Sequence, residues 1–145
     1  MDEKLRILIL EDLKSDAILM QNELKDAKIQ FNSKIAANKE DFIKLIKEYH
    51  PHLILSDYSL PKFDGMSALQ LVKKHMPETP LIIVTGAINE ETAVECMKAG
   101  AVDYVLKDRL GRLGPAAKGA IEKTQAKQEK KNAEEKEQPF RNIYT

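Results

Sequence analysis

Short apolar runs alternate along this chain with stretches whose apolar residues recur every third or fourth position. Residues 5–10 (LRILIL) form a nearly unbroken apolar run, the pattern of a strand buried on both faces. Residues 32–37, 53–55, 81–84 and 102–106 predict four more strands, the first of them weaker and nearer an edge. Between them lie helical patterns. Ala17, Met20, Leu24 and Ala27 mark the first, with Ser15 or Asp16 as its cap. Phe42, Leu45, Ile46 and Tyr49 mark the second, capped by Asn38 and ended by His50-Pro51. Leu69, Val72 and Met76 mark the third, stopped by Pro77 and Pro80. The fourth is capped by Asn89, carries Ala93, Val94 and Met97 as its apolar residues, and ends at Gly100. A fifth begins near Asp108 and restarts at Gly114-Pro115. Strands alternating with helices predict βαβ units and a parallel sheet.

The chemistry sits where the strands end. Residues 5–12 close on Glu11 and Asp12, residues 52–57 on Asp57, residues 81–85 on Thr85, and residues 102–107 on Lys107. Parallel strands share one carboxyl edge, and open α/β sheets bind ligands there. Residues about a hundred positions apart therefore converge. Three carboxylates within a few ångströms repel by roughly 1–4 kcal/mol per pair at surface-like dielectric. A hard divalent cation with oxygen ligands, Mg²⁺ above all, relieves that repulsion. An acidic pair for metal, a nucleophilic carboxylate, an ammonium and a hydroxyl make a set for phosphoryl transfer to an aspartate.

Length and charge narrow the choice. At 145 residues the chain predicts one domain and a tail. The 23 acidic and 23 basic residues cancel, which argues against a broad nucleic-acid or membrane surface. The single Cys96 precludes an internal disulfide and predicts a reducing, cytoplasmic setting. No secretory signal is legible at the start, and no apolar run approaches the roughly 20 residues of a membrane span. His50, His52 and His75 lack metal-ligand spacing and are expected to be structural. Residues 122–137 are almost all charged, Gln or Ala, and predict a solvated helix that Pro139 breaks.

Taken in order, the Glu11-Asp12 pair, Asp57 after LILS, the LPKFDG loop from Leu60 to Gly65, Thr85 after LIIV, and Tyr104 with Lys107 in DYVLKD resemble a receiver domain of two-component response regulators. The resemblance covers residues 4–122. It implies a flavodoxin-like, doubly wound sheet of five parallel strands in the order 2-1-3-4-5, with five helices, the last extended. It implies that Asp57 accepts a phosphoryl group from a histidine kinase or phosphotransfer protein. Glu11, Asp12, Asp57 and the backbone carbonyl of Ser59 would hold Mg²⁺. Lys107 would contact the phosphoryl oxygens, and Thr85 with Tyr104 would form the switch. The output face would be the fourth helix, fifth strand and fifth helix. Such a domain is a phospho-acceptor, not a turnover enzyme.

The domain plan that follows is a receiver over residues 1–122, a charged helical linker over 123–138, and the start of a further domain or a disordered tail over 139–145. That last segment resembles the entry to a PAS sensor domain. It implies a sensor, kinase or cyclase domain in the same polypeptide, as in hybrid kinases, with homodimerisation as a further expectation. One departure stands out. The family commonly has Lys-Pro with a cis peptide after the fifth strand, whereas this chain has Lys107-Asp108. A cis bond there costs about 3–4 kcal/mol, so either the bond is trans or the site holds strain. Two rival readings are a Mg²⁺-dependent phosphatase with an aspartyl-phosphate intermediate and a pseudo-receiver that takes no phosphate. The first wants a second acid two residues after the nucleophile, where this chain has Ser59.

Overall fold

A computed structural model describes residues 4–86 and 89–144, with side chains described as far as residue 135. The elements run in the order β1 (Leu5–Leu10), α1 (Lys14–Asp26), β2 (Phe31–Ala36), α2 (Lys39–Glu48), β3 (Leu53–Ser56), β4 (Ser59–Leu60), β5 (Phe63–Asp64), α3 (Gly65–His75), β6 (Leu81–Thr85), α4 (Glu90–Lys98), β7 (Asp103–Leu106), a 3₁₀ turn (Lys107–Arg112) and α5 (Leu113–Tyr144). The main sheet is parallel in the order β2-β1-β3-β6-β7. With the β4–β5 hairpin set aside, this is the expected 2-1-3-4-5 arrangement. The hairpin itself, antiparallel with Lys62 at φ 60°, replaces the plain loop expected over residues 60–65.

Side-chain alternation along each strand feeds two cores. Ile7, Ile9, Leu53, Leu55, Ile82, Val84 and Val105 point to one face and pack with Ala17, Met20 and Leu24 of α1 and Leu113, Ala117 and Ile121 of α5. Leu8, Leu10, Ile54, Leu81 and Ile83 point to the other and pack with Phe42 and Ile46 of α2, Leu69 and Val72 of α3, and Cys96 of α4. Burial on both faces explains why the strands read as unbroken apolar runs.

The caps fall largely as expected. Asn38, Asp64 and Asn89 accept from the backbone N–H groups of Asp41, Ser67 and Thr92 at 2.9, 2.7 and 2.7 Å. Gly100 ends α4 at φ 114°, a conformation that needs glycine.

On α4, Ala93 and Cys96 face the core, while Val94 and Met97 are exposed at 45% and 40%. Three expectations are corrected. Neither Ser15 nor Asp16 caps α1; Leu13 holds that position without a side-chain bond, and Asp16 lies inside the first turn. Met76 is only partly buried, because it closes α3 as its C-terminal cap. Finally, α5 runs through Pro139 to Tyr144 without the expected break. The lost N–H is a local cost of about 3 kcal/mol, set against a long run of strong helix formers before it. The side chains expected to open a further domain, residues 139–145, lie outside the described ones. Among the described residues no peptide bond is cis, so Lys107-Asp108 is trans.

Candidate functional site

Strand phase places the acids before any side-chain detail is considered. Positions 7 and 9 of β1 face α1 and α5, and Glu11 is the next in that phase. The same count takes 53 and 55 of β3 to Asp57, and 105 of β7 to Lys107. Three groups thus leave the same edge on the same side, over adjacent and near-adjacent strands. Asp57 is fixed there by its N–H donating to the Leu10 carbonyl at 2.9 Å and by Ser56 Oγ donating to its own carbonyl at 2.8 Å.

Lys107 Nζ is the hub. It donates to Glu11 Oε1 at 2.6 Å, to Asp16 Oδ2 at 2.8 Å and to Asp57 Oδ2 at 3.0 Å. Burial alone pulls the ammonium pKa down, but its bonds to Asp16, Glu11 and Asp57 outweigh this, and the net shift is upward. Glu11 is buried, and that burial is the main reason its carboxyl is pushed up to about 7; Asp57 adds to the rise, while Lys107 and the Leu13 N–H oppose it. Oxygens of Glu11, Asp12 and Asp57 also lie within 4.8 Å of one another. Asp12 is the exposed member. An all-oxygen, all-anionic donor set of this size fits a hard divalent cation.

The remaining expected residues fall into two groups. Ser59 is exposed and donates its N–H to Asp57 Oδ1 at 3.3 Å. Thr85 is buried at the end of β6, and its register partner Leu106 directly precedes Lys107. Thr85 and Tyr104 share the α4 side of the sheet, since Tyr104 pairs with Ile83, two residues before Thr85 on the same face. Tyr104 is turned outward, 36% exposed, and borders a shallow groove of about 400 Å³ with Glu90, Ala93, Val94, Met97 and Lys98.

Sequence reading missed Asp16 as a site residue, treating it only as a helix cap. A signal was present: Asp16 lies four residues before Met20, so it continues the inward stripe of α1 one turn beyond the core, toward the strand ends.

Comparison with known proteins agrees with this fold. Residues 7–118 match the model of the response regulator receiver domain. The chain belongs to that family. Among relatives of this receiver domain, the Regulatory protein AtoC of Escherichia coli is 35% identical over 102 residues, covering 70% of this chain and 22% of that protein. A putative NtrX-like response regulator of Rickettsia typhi is 39% identical over 106 residues, covering 72% of this chain and 22% of that protein. The chain thus spans about a fifth of the length of these relatives. Among solved structures, the signal receiver domain of a putative LuxO repressor from Vibrio parahaemolyticus superposes with a TM-score of 0.79 at 26% identity, covering 87% of this chain and 96% of that one. A beryllofluoride-activated DrrB receiver domain superposes with a TM-score of 0.72 at 26% identity, covering 83% and 99%. No helix among the described residues is long and apolar enough to cross a membrane.

Proposed function

We propose that this receiver domain is a switch phosphorylated on Asp57 by a phosphohistidine donor, a histidine kinase or phosphotransfer protein. The observation that carries the reading is the bond from Lys107 Nζ to Asp57 Oδ2 at 3.0 Å, beside the Glu11, Asp12 and Asp57 cluster. Asp57 Oδ is the nucleophile; it attacks phosphorus as the donor nitrogen leaves. Glu11, Asp12, Asp57 and the Ser59 carbonyl are the groups that would hold Mg²⁺. When bound, Mg²⁺ neutralises charge on the phosphoryl oxygens. Lys107 neutralises a further oxygen, and its three carboxylate bonds keep it protonated for that task. Catalysis here is positioning and charge neutralisation, so no general base is required. The domain is an acceptor with at most its own phosphorylation and dephosphorylation to promote.

A phosphoryl group adds about −1.5 to −2 charge and three acceptor oxygens at the strand ends. Thr85, buried at the end of β6, is the switch element on the far side of the sheet, and Tyr104 lies on that same side. Movement of Thr85 toward the phosphoryl group makes room for Tyr104 to turn in from its exposed position. That closes or reshapes the groove it forms with Val94 and Met97. The face of α4, β7 and α5 then signals to a partner or to a domain joined through the charged length of α5. A kinase, sensor or cyclase domain in the same polypeptide remains our reading for that output.

The test is direct. Incubation with a small phosphodonor such as acetyl phosphate and Mg²⁺ should add one base- and hydroxylamine-labile phosphoryl group per chain, read by mass spectrometry. Asp57→Asn should abolish it. Retention of the adduct in Asp57→Asn sinks the assignment, and steady release of phosphate from added phosphoesters favours the phosphatase instead.

A further inference from the structure

Asp16 contributes to this pocket a carboxylate that neither the expected metal set nor the acceptor role uses. Its Oδ2 accepts from Lys107 Nζ at 2.8 Å, across 91 residues of sequence. An ammonium has three N–H donors. In this structure all three are engaged, by Glu11, Asp16 and Asp57. A phosphoryl group on Asp57 inherits the Asp57 bond, but it brings three acceptor oxygens in place of one. Any further bond to Lys107 must displace a carboxylate.

The two other carboxylates differ in how readily they yield. The Glu11 side chain is fully buried and also accepts from the Leu13 N–H at 3.2 Å, so releasing it would strand a buried acid. The Asp16 side chain is 25% exposed in the first turn of α1, and among the described residues it bonds to Lys107. It turns to water at small cost. We propose that Asp16 is a positioning residue that holds Lys107 toward α1 in the resting pocket and competes with the phosphoryl group for it. This inference rests on the phosphoacceptor reading above and names a restraint within that site.

The sign of the effect follows from charge. Through their shared bonds to Nζ, Asp16 Oδ2 and Asp57 Oδ2 lie less than the sum of 2.8 and 3.0 Å apart. Loss of the Asp16 charge weakens the pull on a cation and frees Lys107 for an anion. A residue that merely supported the fold would move both affinities the same way or neither.

The experiment measures two affinities on the same purified chain, Mg²⁺ alone and beryllofluoride at saturating Mg²⁺, each by chemical-shift titration. Asp16→Asn should bind beryllofluoride about 3- to 10-fold more tightly and Mg²⁺ alone about 3-fold more weakly. Asp16→Glu, which keeps the charge, should stay within about twofold of the wild type on both. Asp26→Asn, at the far end of α1, should also change neither. In the metal-free protein the Lys107 ammonium hydrogens should exchange faster in Asp16→Asn than in the wild type. Beryllofluoride binding in Asp16→Asn that is unchanged or weaker overturns the proposal, as does a common direction for the two ligands. A wild-type chain that takes up no beryllofluoride overturns the phosphoacceptor reading and this inference with it.

Discussion

Lys107→Met should cost the metal-free protein about 3 kcal/mol at pH 8 and yet tighten its hold on Mg²⁺. The ammonium lies 2.6, 2.8 and 3.0 Å from three carboxylate oxygens. At an effective dielectric of about 20, a contact near 3 Å is worth roughly 5 kcal/mol before desolvation. Much of that is cancelled by taking the lysine and two of the acids out of water. Solvent also screens the share of Asp16, whose side chain is 25% exposed. Removing one member of a buried ionic group costs about 3–5 kcal/mol overall. The lower end applies here, because Glu11 already titrates near 7 and takes up a proton once its counter-ion is gone. For a domain of this size the loss corresponds to a fall in Tm of about 12 °C. Urea unfolding in EDTA at pH 8 and at pH 5.5 reads it. At pH 5.5 the cost should shrink by about half, since a protonated Glu11 no longer needs the ammonium. Mg²⁺ should then restore stability to the variant at lower concentration than it stabilises the wild type, because it displaces one proton from Glu11 and no longer competes with an ammonium held by three carboxylates. A loss under about 1 kcal/mol at pH 8, an equal loss at both pH values, or weaker Mg²⁺ binding would refute the reasoning.

Three further outcomes follow from the same geometry. Glu11 has its pKa raised from 4.5 to about 7, so the folded metal-free chain holds a proton that the unfolded chain has released between those values. Its contribution to stability is therefore full below pH 4.5 and falls by roughly 3 kcal/mol as pH rises to about 7, a slope that Glu11→Gln should flatten in denaturant titrations. Gly65→Ala would place a Cβ 2.9 Å from Tyr58 Cα and 3.0 Å from the Asp57 carbonyl, both backbone. It should destabilise by about 1–3 kcal/mol and slow phosphorylation of Asp57, because α3 can relax only by pushing on the acceptor strand end. Asn38→Ala removes the bond to the Asp41 N–H and should cost about 1 kcal/mol by thermal melting, with no change in Mg²⁺ affinity.

The chain itself carries the sheet and much of the pocket. Runs that are apolar at every position fit only strands covered on both faces, and parallel strands must end at one edge. Glu11, Asp57 and Lys107 follow those runs directly, so their meeting needs little beyond strand phase. Register alone likewise sets Thr85 and Tyr104 on the α4 side. Packing decided the rest. On α4 two stripes compete, Ala93 with Cys96 and Val94 with Met97, and both are apolar at helical spacing. Periodicity defines such stripes but not the rotation of the helix about its axis. Cys96 joins Leu81 and Ile83 in the core, which buries the smaller pair and leaves Val94 and Met97 beside Tyr104. Asp16 is the sharper case. Local chemistry offers an acid in a first helical turn as a cap, and only the crossing of α1 over the strand ends brings it to a lysine 91 residues away. Such a bond depends on how a helix lies across a sheet, which no short stretch of sequence encodes.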